Sequence, residues 1–424
     1  MPGSHLPLME EGMARWPFGP PNAGIALDFV GAPPSLDELR ALVEERWKAL
    51  PRLTQTLVAP GAARTGPAWW AGRHRWARRD GHSPAEQVGG ADDTLREAVD
   101  RWFHTPFPAG RPPWSLHLLP GSTEGEFSLL FRMHHSLLDG RSLTTLLRAL
   151  LDDGRPLDGP ASQAVPGPRR RTASPGAAGG APGLLTTGRA VPLPHRGARE
   201  PAYTVVRLRA DVLKAAREAV RVGEAGSARP ASTNEVFLAT VSGVLRSCLS
   251  AAPSAGSGQV WLSVPVDERP DDCGEFLGNA FANVRVPAPV SLADPTARLA
   301  ACTGLLTTVT RPRRTSERLV ESTLGAVPGA TLALAGGKIF APAYAPAACS
   351  YVHLRERGRT LAGRTLRHLT IVPMVPPTDT VTFALGGCSP GHTLSVATNS
   401  GSQDAVLLAE AFLDELTLLA RGTR

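Results

Sequence analysis

The stretch from Glu126 to Leu151, EFSLLFRMHHSLLDGRSLTTLLRALL, constrains the fold more than any other. Its first part is a short apolar run that reads as a strand ending on two adjacent histidines, His134 and His135. Its last part sets Leu143, Leu146, Leu147, Leu150 and Leu151 at i, i+3, i+4, i+7 and i+8, the spacing of one buried helix face. Ser142 is placed to cap that helix and Gly154 to end it. Asp139 and Gly140 fall in the loop between. A strand, a tight loop and an amphipathic helix make an α/β junction, with a histidine pair at the strand end.

The rest of the chain repeats this vocabulary. AGIALDFVG (23–31) alternates as a half-buried strand. A helix follows, with Ser35 and Glu38 in capping-box spacing and Leu36, Leu39, Val43 and Trp47 on one face; Pro51 ends it. LREAVDRWF (95–103) reads as a helix, and WSLHLLPG and EFSLLFRMHH as two strands joined by a turn. The second half opens like the first, with strand YTVVRLRA and helix DVLKAAREAV. A longer helix lies at TNEVFLATVSGVLRSCL, strands at QVWLSVPV, VTFALGGC and HTLSVATN, and a closing amphipathic helix at AVLLAEAFLDELTLLA. Between the halves, 155–200 is rich in Pro, Gly, Ala and Arg and reads as a flexible basic linker that includes Arg169–Arg171. The expected division is 1–154, a linker at 155–200, and 201–424. The similar openings hint at an internal pseudo-repeat.

A chain of 424 residues exceeds what one core organises, and its apolar fraction of 42% suffices for two. The start has no basic and apolar leader pattern, and no apolar run reaches eighteen residues; both point to a soluble, cytoplasmic protein. Cys248, Cys273, Cys302, Cys349 and Cys388 are odd in number and scattered, so neither a disulfide framework nor a metal site is expected. The formal charge of +7 comes almost wholly from arginine and favours anionic partners. Dispersed arginines and the lack of a binding module argue against nucleic acid.

A histidine at a strand end can face a cleft as a general base near neutral pH. Asp139 can fix the loop if a cation compensates it, and Arg269, after the strand in VPVDERP, is the candidate. Gly140 would let a substrate approach the backbone. GCSPG (387–391) matches a nucleophile-elbow pattern, but Pro390 has no N–H for the oxyanion and the segment reads as a hairpin turn. His82, His104, His117, His195, His353, His368 and His392 lack metal-ligand spacing. Trp69, Trp70 and Trp76 are either pocket-lining or core.

HHSLLDGRSL resembles the HHxxxDG signature of the CoA-dependent acyltransferase superfamily. PSLDELRALVEERWKALPRLTQTLV, GRPPWSLHLLPG, STNEVFLATVSGVLRS, and LSVPVDERP followed by LGNAFANVRVPAPVSLADPTARL are most similar, in order and spacing, to its bacterial wax ester synthase/diacylglycerol acyltransferase branch. Peptide-synthetase condensation domains are also similar. The resemblance implies two chloramphenicol-acetyltransferase-like α/β domains with mixed sheets, forming a pseudo-dimer with a tunnel between them. It implies His135 as catalytic base beside His134, Asp139 paired with Arg269, and Gly140, Ser142, Gly278, Asn279 and Asn234 in substrate-binding or supporting places. It implies no permanently bound cofactor; acyl-CoA or a phosphopantetheinyl acyl carrier protein would be co-substrate, and an alcohol or amine the acceptor. Membrane contact would be peripheral at most. Two departures bear on substrate: Asn234-Glu235 stands where Asn-Asp is usual, and Ser350-Tyr351 where Ser-Asn is. They leave the base in place but argue against the lipid substrates of the better-known members; with the lack of extended apolar insertions, tailoring of a specialised metabolite or lipid is expected. The alternatives are a free-standing condensation enzyme with a carrier-bound donor, or a non-catalytic scaffold.

Overall fold

A computed structural model of the chain describes residues 5–60, 70, 72–79, 81–121, 123–159, 162, 186–195, 200–223, 228–251, 258–269, 275–305, 327–354, 359–389 and 391–422. Most of the expected linker, with Arg169–Arg171, lies outside them, as do Trp69, Cys273 and Pro390.

In the first half the strands are β1 (Asn22–Val30), β2 (Gln55–Val58), β3 (Arg75–Arg78), β4 (Val88–Gly90), β5 (Trp114–Pro120) and β6 (Glu126–His134). The second half supplies β7 (Ala202–Leu208), β8 (Arg221–Val222), β9 (Arg229–Pro230), β10 (Trp261–Asp267), β11 (Phe281–Pro287), β12 (Ala347–Leu354), β13 (Thr360–Leu361), β14 (Arg364–Val372), β15 (Val381–Cys388) and β16 (His392–Thr398). One six-stranded sheet runs β13-β14-β1-β6-β5-β4, the other β11-β10-β12-β15-β16-β7. Both are mixed, because β4 pairs parallel to β5, and β12 parallel to β15 and β10.

The two sheets share a wiring plan. In the first, β1 pairs antiparallel with β6, β6 antiparallel with β5, and β5 parallel with β4. In the second, β7 pairs antiparallel with β16, β16 antiparallel with β15, and β15 parallel with β12. The hinted pseudo-repeat is therefore present in the topology. It places β16 and the helix Ser402–Arg421 where the first half has β6 and the helix Gly140–Leu150. Asn399-Ser400-Gly401 occupies the second junction, so the histidine motif occurs once.

The halves are not separate blocks. The hairpin β13–β14 leaves the second half and completes the first sheet, with β14 antiparallel to β1 from Gly24↔Val372 to Val30↔Thr365. Residues 201–424 thus serve both sheets. One core packs the helices Leu36–Trp47 and Gly140–Leu150 on the first sheet, around Trp47, Trp114 and Phe131, whose rings lie 5.4–5.9 Å apart. A second packs the helices Ala210–Glu218, Thr233–Ala251 and Ser402–Arg421 on the other sheet. A smaller third core, with Ala26, Leu130, Val372, Tyr203 and Ala397, joins the sheets.

Local detail follows the sequence closely. The Ser35–Glu38 capping box opens the helix Leu36–Trp47, and Thr94–Glu97 forms another at Leu95–Trp102. β15 and β16 form the hairpin expected around Ser389, closed by Cys388 N–H donating to Gly391 O at 3.0 Å. Two expectations at the motif are corrected. Asp139, not Ser142, is the N-cap of the helix Gly140–Leu150, because a carboxylate one residue outside the helix reaches the Ser142 N–H at 2.8 Å. That helix ends at Leu150, and Gly154 belongs to the turn beyond, its N–H donating to Leu151 O.

Candidate active site at the seam between the sheets

Proline-led strands set the position of the histidines. Pro20-Pro21 precedes β1 and Pro112-Pro113 precedes β5, and a carbonyl from each catches the end of β6. His134 N–H donates to Pro113 O at 2.9 Å, and His135 N–H to Pro21 O at 2.8 Å. The chain then turns, Leu137 N–H bonding back to His134 O at 2.8 Å. His135 is half-buried with its ring 6.1 Å from that of Phe281, and its Nδ1 is sealed from solvent.

Asp139 fixes the far end of this turn and ties it to the second half. Its carboxylate accepts from Ser142 N–H and Ala280 N–H, both at 2.8 Å, and pairs with Arg269 Nη2 at 2.8 Å. Arg269 is 2% exposed; it also donates to Ser142 Oγ at 2.7 Å, Gly278 O at 3.1 Å and Asp267 Oδ1 at 2.9 Å. Ser142 Oγ bonds Gly278 O at 2.8 Å and accepts from Gly278 N–H at 3.1 Å. Asp139 and its expected cation Arg269 therefore form one buried knot across the seam together with Ser142 and Gly278. A Cβ on Gly278 would stand 2.6 Å from the tip of the Phe276 ring, so any larger residue there requires that ring to shift. Gly140 lies against β12, with Val352 Cγ2 at 3.0 Å from where a Cβ would lie, so it seats one half against the other.

Asn279 holds the histidine turn from behind, its Nδ2 donating to His135 O at 3.1 Å and Ser136 O at 2.9 Å. This leads to residues the sequence reading missed. Glu10, on the short helix Leu8–Ala14, is buried and accepts from Arg52 Nη2 at 2.5 Å, Trp76 Nε1 at 2.6 Å and the Asn279 N–H at 3.4 Å. Its own carbonyl takes the Ser136 hydroxyl at 2.8 Å. Arg52 donates to Ser136 O and Leu137 O at 3.1 and 2.9 Å. The carbonyls of residues 135, 136 and 137 are thus all anchored by side chains. Trp76 belongs to this network and to the core, whereas Trp70 is exposed. Paired Glu10-Glu11 beside an apolar helix was the available sequence signal.

Asn234 is not brought to this knot. It sits in the first turn of the helix Thr233–Ala251 and makes no hydrogen bond to the cluster among the described residues. Its neighbour Glu235 closes a local network instead, chelating Arg229 at 3.0 Å to each oxygen and accepting Ser232 N–H at 2.6 Å. Burial opposes ionisation of that carboxyl, but these donors together lower it to about 2.

Electrostatics favours uncharged imidazoles. Burial lowers His134 to about 3, helped by the neighbouring His135 and His74. Burial also lowers His135, against the opposing pull of its own backbone carbonyl, Asp139 and Asn279. The thiols are poor nucleophiles: burial raises Cys248 to about 11 and Cys302 and Cys388 to about 12. No group of three or more metal-ligating side chains occurs among the described residues. No helix among them is long and apolar enough to cross a membrane.

The comparisons with known proteins bear on family and fold. The family pattern described as the wax ester synthase/diacylglycerol acyltransferase catalytic domain matches residues 23–252. A Mycobacterium tuberculosis protein named as a candidate diacylglycerol O-acyltransferase is 26% identical over 322 residues, covering 65% of this chain and 63% of its own. The chain spans less than two thirds of that relative's length. A solved wax ester synthase/diacylglycerol acyltransferase from Marinobacter aquaeolei VT8 superposes with a TM-score of 0.61 at 17% identity, covering 99% of this chain and 100% of that one. The first condensation domain of the calcium-dependent antibiotic synthetase gives 0.63 at 16% identity, covering 100% and 97%. The fold is therefore two chloramphenicol-acetyltransferase-like α/β domains with mixed sheets, arranged as a pseudo-dimer. The chain belongs to the wax ester synthase/diacylglycerol acyltransferase family.

Proposed function

We propose that this protein is an acyltransferase that moves an acyl group from a thioester, acyl-CoA or acyl carrier protein, to an alcohol or amine, with His135 as general base. The observation that carries the reading is the anchored turn at the seam. A neutral imidazole is held there by three side-chain-fixed carbonyls and by the Asp139–Arg269 pair, with Nδ1 out of solvent. His135 Nε2 takes the proton from the acceptor as its oxygen or nitrogen bonds the thioester carbonyl carbon. The C–S bond then breaks, and the imidazolium returns the proton to the departing thiolate. A thiol of pKa about 8.5 leaves readily, so no acyl-enzyme is required. His134 supports the turn, Asp139 and Arg269 position it, and Gly140, Ser142, Gly278 and Asn279 complete the frame. The acyl and acceptor groups meet in a tunnel between the domains, divided as 1–154 and 201–424 apart from the exchanged hairpin.

A specialised metabolite or lipid is the expected product. Donor and acceptor are identified by thiol release from a panel of acyl-CoAs and acyl carrier proteins with mixed alcohols and amines, with products read by mass. Acceptor-dependent release supports the reading. Release from carrier-bound donors alone identifies a condensation-type enzyme, to which the fold is equally similar. Silence across the panel favours a scaffold.

A further inference from the structure

At the β4 edge of the first sheet lies a cavity of about 470 Å³, lined among others by Arg40, Arg79, His82, Glu86, Gln87 and Arg111. Three exposed arginines line it from separate elements: the helix Leu36–Trp47, the end of β3 and the loop before β5. Arg111 has no side-chain partner among the described residues. Arg79 is held in place by donating to Gly110 O at 2.8 Å, and Arg40 shares its charge with exposed Asp37 at 3.2 Å.

The second observation is His82. Its side chain is 2% exposed, yet neither ring nitrogen has a hydrogen-bond partner among the described residues. Only Nδ1 has a polar neighbour, the Glu86 carboxylate at 3.2 Å, and that carboxylate is itself anchored to Ser83 N–H at 3.2 Å. A buried polar nitrogen without a partner is costly unless a ligand or water completes it. The floor is firm, because Gln87 Nε2 donates to the carbonyls of Pro112, at 2.9 Å, and Trp114.

We propose that this cavity is a binding site for a phosphoryl-bearing small molecule. Arginine forks match the oxygens of a phosphate, the imidazole Nε2 supplies a further bond, and the volume falls in the range of small-molecule sites, roughly 300–1,000 Å³. The phosphoryl group can come from the nucleotide portion of a CoA thioester or from free phosphate. The binding site stands independently of the acyl-transfer reading.

The test is calorimetric titration of the full chain, without turnover, using adenosine 3′,5′-bisphosphate, inorganic phosphate and phosphate-free pantetheine as separate probes. Wild type, Arg111→Gln and His82→Gln are compared, with unchanged melting as the folding control. Binding of either phosphorylated probe, weakened at least tenfold (about 1.4 kcal/mol) in Arg111→Gln and reduced in His82→Gln, supports the site. Preference for the bisphosphate identifies a nucleotide, and equal binding identifies phosphate itself. Pantetheine should not bind there. Absence of binding by both phosphorylated probes, or binding indifferent to both substitutions, overturns the proposal. Because no acyl transfer is measured, its failure is separate from failure of the acyltransferase reading.

Discussion

Replacing Arg269 by methionine removes the cation from the knot that joins the halves while keeping most of the side chain's apolar bulk. Four hydrogen bonds leave with the guanidinium, to Asp139, Ser142, Gly278 and Asp267. The Asp139 carboxylate, 4% exposed, then remains buried with two backbone donors, Ser142 and Ala280, and no counter-charge. Breaking a buried pair from one side costs about 3–5 kcal/mol; the two remaining N–H donors set the expectation near the low end, about 3 kcal/mol. Asp139→Asn combined with Arg269→Met removes both charges, so the double variant should be more stable than the summed single losses by about 1–2 kcal/mol. Urea unfolding followed by tryptophan fluorescence and far-UV circular dichroism measures all three. An Arg269→Met variant within about 0.5 kcal/mol of wild type, or additive single effects, would refute the idea that this ion pair holds the seam.

Three further outcomes are expected. Glu10→Gln leaves the buried Arg52 guanidinium without its carboxylate and loosens the carbonyl anchors of the histidine turn. It should lower kcat about tenfold or more with KM little changed, and lower the melting temperature; an unchanged kcat contradicts the anchoring role. Gly140→Ala pushes a methyl against Val352 and should cost about 1–3 kcal/mol by overpacking, measured by urea unfolding; a neutral effect would mean the halves are not in firm contact there. His134 and His135 are both held below the ordinary imidazole pKa of about 6.5, so below that pH the unfolded chain binds more protons than the folded one. Their contribution is complete above about pH 6.5 and is lost as pH falls, for His134 down to about 3. A pH titration of stability should show that sign, and kcat/KM should be flat near neutrality with an acid limb; a rate that rises from pH 7 to 5 contradicts a neutral base.

Much of this architecture is written in short-range pattern. The leucine spacing after the motif, the Ser35–Glu38 box and the alternation in β1 each specify an element from its own residues. The helix Leu36–Trp47 and β1 form within a residue of expectation, β1 buried on both faces rather than half-buried. The helix after the motif is capped by Asp139 instead of Ser142 and ends before Gly154. What escaped reading is non-local. RTLRHLTIV carries strand character, but nothing within it states that β14 pairs with β1, more than three hundred residues earlier, rather than with its sequence neighbours. Ser142 illustrates a competition: Ser and Asp are both good caps, and the loop geometry gives the place to Asp139. In the site, the Asp139–Arg269 pairing was legible because a buried carboxylate after a histidine turn demands a cation. The role of Glu10 was not, since the Glu10-Glu11 pair on a two-turn helix shows two carboxylates but not which donors they will meet.

If His135 carries the proton in acyl transfer, its loss must show in turnover. The direct measurement is steady-state thiol release and product mass for wild type and His135→Ala, with a donor and acceptor pair that wild type accepts, at pH 7.5. Circular dichroism on the same samples confirms folding. In His135→Ala kcat should fall about 10²–10⁴-fold, the range expected for loss of a general base, with His134→Ala falling less. Undiminished turnover in folded His135→Ala would contradict that role.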